Sequence, residues 1–376
     1  MNPMQGMNAS RDMTFPMQGQ GRGHNAGNKR YFGDELANIP FESNRFNPHP
    51  RRKNARLHSP PHRPQLDDSL LRDLRYLLFE QSGSCLLQQV LDEGGSTAAT
   101  TILNEGLPFW ADAMAHLYGN YLFQKIVECI TPSERVTLMK SVSTRLVDAS
   151  MSKHGNLSVR KIVEVCAREE AACNHIVFKM LTDVLGPYAV RLCVDTHATF
   201  VIQCILRNLP YQYTKIFFKA VADSIKDMAC NRNGYFVVLC CLDSCHSEAR
   251  TQVVKRIVEL SGRIREVMMD PVGNYVAQKA LSVATNEQAT RLVESMRPYL
   301  SSQNNTNAGV RNILRQIYKR FPSFKLEDGA SQIDYSTALV ESSLASTSGA
   351  AAISGNANVS SALAAQPPSA PDGEGE

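Results

Sequence analysis

Tryptophan occurs once in this 376-residue chain, and aromatic residues make up only 7% of it. No apolar run approaches the ~20 residues that span a bilayer, which excludes an ordinary transmembrane helix. The first twenty residues hold no apolar stretch, so no secretory signal is expected. Cysteine is missing before Cys85 and after Cys245. The ten cysteines between sit in apolar stretches such as Leu239-Cys240-Cys241-Leu242 and show no framework of pairs. They read as reduced core thiols. Cys241-x-x-x-Cys245-His246 is the nearest approach to a zinc spacing, and no second pair answers it. No metal or cofactor is therefore predicted. Catalytic signatures are missing as well: there is no P-loop, no His-Glu-x-x-His and no Gly-x-Ser-x-Gly. His116, His154 and His197 are spread over separate segments, which suits structure or phosphate contact better than catalysis. An enzyme with a small-molecule substrate is not expected.

What is present divides into three zones. Residues 1–65 are rich in Met, Gln, Gly, Asn, Pro and Arg and show no hydrophobic period, which predicts a disordered basic tail. The cluster Arg51-Arg52-Lys53-Asn54-Ala55-Arg56 within it suits a nuclear address, a nonspecific nucleic-acid arm or a solvated linker. Residues 327–376 turn to Ser and Ala with seven acids and no Lys or Arg, which predicts a second, acidic disordered tail. Residues 66–326 are helical in pattern almost throughout, with a modestly basic balance that permits an anionic partner. Thr131-Pro132-Ser133-Glu134 and Thr285-Asn286-Glu287-Gln288 both read as capping boxes at helix starts.

The middle zone repeats itself. Ser82-Gly83-Ser84-Cys85-Leu86-Leu87-Gln88 is followed by Tyr118-Gly119-Asn120-Tyr121-Leu122-Phe123-Gln124 and His154-Gly155-Asn156-Leu157-Ser158-Val159-Arg160. His197-Ala198-Thr199-Phe200-Val201-Ile202-Gln203, Asn233-Gly234-Tyr235-Phe236-Val237-Val238-Leu239 and Val272-Gly273-Asn274-Tyr275-Val276-Ala277-Gln278 continue the series. A weaker last copy is expected around Gly309. The Gly or Ala positions then fall 36, 36, 43, 36, 39 and 36 residues apart. Units of that length hold two or three short helices and bury one another's apolar faces, so an α-solenoid is predicted.

At about 100° per residue, each copy separates into two arcs. Leu122, Phe123, Ile126 and Val127 share the core side, and Asn120, Tyr121 and Gln124 share the other. Amides at i and i+4 stand one above the other. Together they offer donors and acceptors to the edge of an unpaired base, beside a ring on which that base stacks for ~1–3 kcal/mol. Interface packing explains one such arc as well. Recurrence in register over six copies favours base recognition.

These motifs, with the 36-residue period, resemble the recognition helices of the Pumilio (PUF) family over roughly residues 66–322. The resemblance implies an all-α, right-handed α-solenoid, a curved superhelix of Pumilio-type repeats binding single-stranded RNA at one base per repeat. It implies contacts at Ser84, Cys85 and Gln88, at Asn120, Tyr121 and Gln124, and at Asn156, Leu157 and Arg160. Thr199, Phe200 and Gln203 follow, then Tyr235 and Phe236, then Asn274, Tyr275 and Gln278. By the family's pairing preferences, Asn with Gln implies uracil at the second and sixth copies, and Ser with Gln implies adenine at the first. The RNA runs antiparallel, so the 3′ end of the site resembles UA. The sequence departs from the family in having six clear copies plus a degenerate seventh, no Ser-with-Glu guanine reader, and Leu239 in place of an amide. Altered specificity is expected. The implied role is a monomeric post-transcriptional regulator of messenger RNA in the cytoplasm that recruits other proteins. The alternatives are a nucleolar ribosome-assembly factor bound to ribosomal RNA precursors, and an armadillo- or HEAT-like protein-binding solenoid.

Overall fold

The computed structural model describes residues 66–260, 262–300 and 307–326, all within one compact unit. The expected tails at 1–65 and 327–376, with the basic cluster at residues 51–56, lie outside the described residues. Among the described residues there is no strand. The helices recur in threes. A short helix comes first: Leu74–Phe79, Trp110–Ala113, Leu146–Met151, Ala189–Val194, Ile225–Met228 or Ile264–Met269. Next comes a helix opening near the repeated Gly or Ala, here termed the face helix. These are the first half of Gln81–Gly106, then Gly119–Cys129, Gly155–Arg168, Ala198–Asn208, Gly234–Asp243 and Gly273–Val283. A back helix closes each unit: the second half of Gln81–Gly106, then Pro132–Val142, Asn174–Leu185, Tyr211–Asp223, Ser247–Val258 and Asn286–Met296. Ala308–Arg320 is a seventh face helix. Each face helix packs on the next in order, and the back helices from Pro132–Val142 onward do the same. The fold is a Pumilio-like α-solenoid in which each unit contacts its neighbours.

The apolar side of each face helix is buried as its periodicity requires. Leu122, Phe123, Ile126 and Val127 are all enclosed, and so are Val276, Ala280 and Leu281. Each fully buried Leu, Ile or Phe contributes about 1.5–3 kcal/mol. The repeated glycine is a matter of space. A Cβ on Gly83 would lie 2.5 Å from the Leu77 carbonyl oxygen, and one on Gly155 would lie 2.5 Å from that of Ala149. The first turn of the face helix thus rests on the backbone of its own short helix, six residues earlier. Gly95 plays a different part. It has φ +58° and breaks Gln81–Gly106 into a face and a back helix without a loop.

Both capping boxes form. Thr131 accepts from Glu134 N–H and Thr285 accepts from Gln288 N–H, with the reciprocal side-chain bonds in place. The 43-residue gap is taken up by a longer third face helix of 14 residues and a turn reaching Asn174. Arg135 anchors that turn. Its side chain is only 3% exposed, donates to the Val127 and Ile130 carbonyls, and forms a two-pronged pair with Glu169 at 2.5 and 2.9 Å. The guanidinium is therefore paired and hydrogen-bonded, as a buried charge must be.

The structure decides the register of the last copy, which the sequence aligns in two ways. In the second to sixth copies the helix start is held by a side chain three residues before the Gly or Ala. Asp270 accepts from Val272 and Gly273 N–H, for example. In the last copy Asn307 accepts from Gly309 and Val310 N–H. Val310 therefore holds the glycine place, and Gly309 is one residue early.

Candidate nucleic-acid interface

From the second copy onward the start of the face helix is set by a polar cap that sequence reasoning missed. Ser152 Oγ accepts from Gly155 N–H at 2.7 Å, and Asp195 accepts from His197 and Ala198 N–H at 2.8 Å. Asn231 and Asp270 repeat the arrangement. His116 does so through Nδ1, which accepts from Tyr118 and Gly119 N–H and is therefore unprotonated there. The signal was present in the sequence as a polar residue three before each Gly or Ala, but its varied chemistry hid it. His154 and His197 instead occupy the residue just before the helix. Burial holds the His154 pKa below its usual value, with further lowering from Lys153, His116 and His197 nearby.

The first arc position lies beneath the helix face, where it is held by backbone. Asn120, at 0% exposure, donates both Nδ2 hydrogens to the carbonyls of His116 and Leu117. Asn156 donates likewise to Ser152 and Lys153, and Asn274 to Asp270 and Pro271. Ser84 and Thr199 are buried too but reach forward. Ser84 Oγ donates to the Tyr118 carbonyl and Thr199 Oγ1 to the Asn233 carbonyl, each in the next copy. In these five copies the first position thus either closes its own turn or ties one unit to the next.

The fifth position is stacked on the first. Gln124 Nε2 donates to Asn120 Oδ1 at 3.1 Å, and Gln278 Nε2 to Asn274 Oδ1 at 2.8 Å. Gln88 donates to the Ser84 carbonyl and hydroxyl. Gln203 makes the longest of these bonds, 3.5 Å to Thr199 Oγ1. It is only 4% exposed, and its Oε1 accepts from Arg207 Nη2 at 3.3 Å. Gln88, Gln124 and Gln278 are half-buried. Arg160 fills the fifth place of the third copy. Its Nε is buried with no hydrogen-bond partner among the described residues, and Nη2 lies 4.0 Å from Glu164.

The second position faces outward. Phe200 is 37% exposed, and Cys85, Tyr121, Leu157, Phe236 and Tyr275 are half-buried. In the fifth copy Tyr235 and Phe236 have ring centroids 4.0 Å apart, and Leu239 supplies no polar group. Burial raises the Tyr235 pKa, with Tyr275 of the next copy adding to it.

A ladder of ion pairs runs beside these positions, and the sequence reading missed it. The residue after the fifth position pairs with an acid on the preceding face helix. Lys125 pairs with Asp92, Lys161 with Glu128 at 2.7 Å, and Lys279 with Asp243. Cysteines replace lysine in the fourth and fifth copies. Cys204 Sγ faces Glu164 Oε1 at 4.0 Å, and Cys240 lies beside Arg207. Burial pushes the Cys204 thiol up to about 12 and the Cys240 thiol to about 11. All ten cysteines are free, and no group of metal ligands occurs among the described residues. No described helix is long and apolar enough to cross a membrane.

The model of the Pumilio-family RNA binding repeat matches residues 80–105, 112–143, 188–222, 224–258 and 263–296. The chain is a Pumilio-family repeat protein. Pumilio homolog 12 of Arabidopsis thaliana is 27% identical over 59% of this chain and 36% of its own length. Pumilio domain-containing protein C6G9.14 of Schizosaccharomyces pombe is 27% identical over 54% of this chain and 29% of its own. The chain therefore spans about a third of the length of these curated relatives. Among solved structures, the Puf4 RNA binding domain bound to an HO endonuclease RNA 3′ UTR recognition sequence is 28% identical. It aligns with a TM-score of 0.58 over 65% of this chain and 73% of that one. The RNA-binding domain of yeast Puf5p, at 19% identity and a TM-score of 0.59, shares the Pumilio fold. The matched segments omit residues 144–187, yet the structure builds a Pumilio unit there around Gly155–Arg168. The long insertion and Arg160 set that unit apart.

Proposed function

We propose that this Pumilio protein binds single-stranded RNA along its row of face helices, one base per unit, and regulates messenger RNA after transcription in the cytoplasm. The observation that carries this reading is the repeated bond from the fifth-position glutamine to the first-position oxygen. It fixes each glutamine side chain on a half-buried surface. Oε1 stays available as an acceptor for a base at Gln88, Gln124 and Gln278, and Gln278, whose Nε2 makes a single bond, keeps a donor beside it. In this reading the buried asparagines position the glutamines, and Gln88, Gln124 and Gln278 make the base-edge contacts. Tyr121, Phe200, Phe236 and Tyr275 supply stacking surfaces between them. The likeness to an RNA-bound Puf4 domain supports the same surface.

The units are not equivalent. The second and sixth carry the Asn–Gln pair that suits uracil, and the first carries the Ser–Gln pair that suits adenine, in an antiparallel RNA ending UA. Arg160 places a guanidinium, its Nη2 4.0 Å from Glu164, at the third unit, where it suits an acceptor on a base or a phosphate. The fourth glutamine is engaged by Arg207, and the fifth unit has rings and Leu239 alone. Specificity is therefore concentrated at the first, second and sixth units. Selection from a randomised RNA pool tests this: recovered sequences should fix those bases and vary opposite the fifth unit. Recovery of no RNA would reject the function, and a fixed UGU core would reject the assignment of bases.

A further inference from the structure

The seventh face helix, Ala308–Arg320, carries no acidic residue and four cations. Three observations fix how it continues the row. Asn307 caps it so that Val310 holds the glycine place. Burial then follows the common pattern, with Val310, Ile313 and Leu314 enclosed and Arg311, Asn312 and Arg315 outside or half-buried. Finally, a Cβ on Gly309 would lie 2.9 Å from Asn274 Cβ. Gly309 thus lies against the first arc position of the sixth copy, as Tyr118 does for Ser84 and Asn233 for Thr199. By this register Arg311, Asn312 and Arg315 occupy the first, second and fifth arc positions. Where three other units hold an asparagine at the first place, the seventh holds a guanidinium with a second one turn below. Lys319 extends the same stripe by another turn. Asn312 Oδ1 accepts from Arg315 Nη1 at 2.7 Å and so orients that group.

We propose that Arg311 and Arg315 bind a phosphate group of the RNA strand, next to the nucleotide held by the sixth unit; this rests on the RNA-binding reading above. Guanidinium groups are donor-only, and their planar fork matches an acceptor-only anion. Most base edges mix donors with acceptors and fit such a surface poorly. Asn312 Oδ1 beside the pair accepts from Arg315 Nη1. The phosphate comes either from the 5′ end of the strand or from a phosphodiester continuing past the sixth base.

The test uses the full chain and 3′-labelled RNA of sequence 5′-UNNNUA-3′, with N an equal mixture of bases. It is prepared with a 5′-hydroxyl, with a 5′-phosphate, and with one added 5′ nucleotide. Affinity is measured by anisotropy across a salt series. The wild type should bind the phosphorylated or extended probe several-fold tighter than the 5′-hydroxyl probe. A gain from the phosphorylated probe alone assigns a terminal phosphate, and a gain from the extended probe assigns a phosphodiester. The Arg311→Gln/Arg315→Gln variant should bind all three alike, with a salt slope shallower by about 0.7 for each phosphate it no longer neutralises. The Arg311→Lys/Arg315→Lys variant should keep most of the gain, because a point charge still holds phosphate. Both positions are exposed on the helix, and matching thermal melts confirm the fold. The proposal is overturned if the glutamine variant keeps the wild-type gain and slope. It is also overturned if the gain occurs only with guanine as the added base, which would make the arginines base readers. If the wild type binds none of the probes, RNA binding itself fails and takes this inference with it.

Discussion

Gln278 donates from Nε2 to Asn274 Oδ1 at 2.8 Å, while Asn274 gives both of its own amide hydrogens to the carbonyls of Asp270 and Pro271. Asn274 is thus a structural bracket and Gln278 is the group it holds out. Substitutions at the two positions should separate. Asn274→Ala removes the side-chain bonds to the Asp270 carbonyl, which keeps the Asn274 N–H, and to the Pro271 carbonyl, and should cost about 1–2 kcal/mol of stability along with RNA affinity. Gln278→Ala should change stability by less than about 0.5 kcal/mol and weaken only RNA binding. Urea denaturation paired with anisotropy distinguishes them.

The repeated glycines should show an inverted sign. Gly→Ala within a helix normally stabilises by about 1 kcal/mol. At Gly83 and Gly155 the new methyl would meet backbone at 2.5 Å, whereas at Gly234 the nearest atom is 3.1 Å away. Gly83→Ala and Gly155→Ala should therefore destabilise, by about 1–3 kcal/mol, and Gly234→Ala should cost clearly less. Ala198, fully buried at the same place in the fourth copy, shows that a methyl is accommodated there. Thermal melts of the three variants should follow that order.

The ion-pair ladder gives two substitutions with opposite expected signs. Cys204→Lys places an ammonium beside Glu164, in a site shaped like that of Lys161, which is buried at 7% exposure against Glu128. Cys240→Lys places one beside Arg207, the larger influence there, with Asp243 a weaker opposing charge. The first should be neutral to stabilising by up to about 1 kcal/mol, and the second should destabilise through like-charge repulsion and desolvation. Chemical denaturation of both proteins at the same salt concentration checks the contrast.

Glu169 fixes an acid-side pH dependence. Its hydrogen bonds from Arg135 hold its pKa below the usual 4.5. The unfolded chain therefore takes up this proton at higher pH than the folded one. The stability contributed by the pair is complete above about pH 4.5 and is lost as pH falls through the folded value. Glu169 is 42% exposed, so solvent screens part of the effect. Glu169→Gln should be less stable at pH 7, because Arg135 stays buried, and should show a flatter profile below pH 4.5. Melting curves from pH 3 to 7 test this.

The sequence revealed the solenoid because the signals that build it are local and repeated. Leu122, Phe123, Ile126 and Val127 recur with a helical period, and Thr131 and Thr285 mark helix starts in the residues around them. The burial of Asn120 was not legible. A helical wheel sees angle alone, and at that angle the first turn of the helix is covered by the preceding turn and the next unit. The Lys161–Glu128 rung was hidden for a similar reason, since its partners lie 33 residues apart. The last register stayed open between two alignments because a glycine beside Asn274 looks, in sequence, like the glycine at a helix start.

The most direct test replaces Gln88, Gln124 and Gln278 together by alanine in the full chain and measures affinity for RNA selected from a randomised pool. The expected result is a fall of about 100-fold or more, corresponding to about 1 kcal/mol for each of the three amides removed, with the melting temperature unchanged. Undiminished affinity in a folded triple variant would contradict recognition of RNA by the face helices.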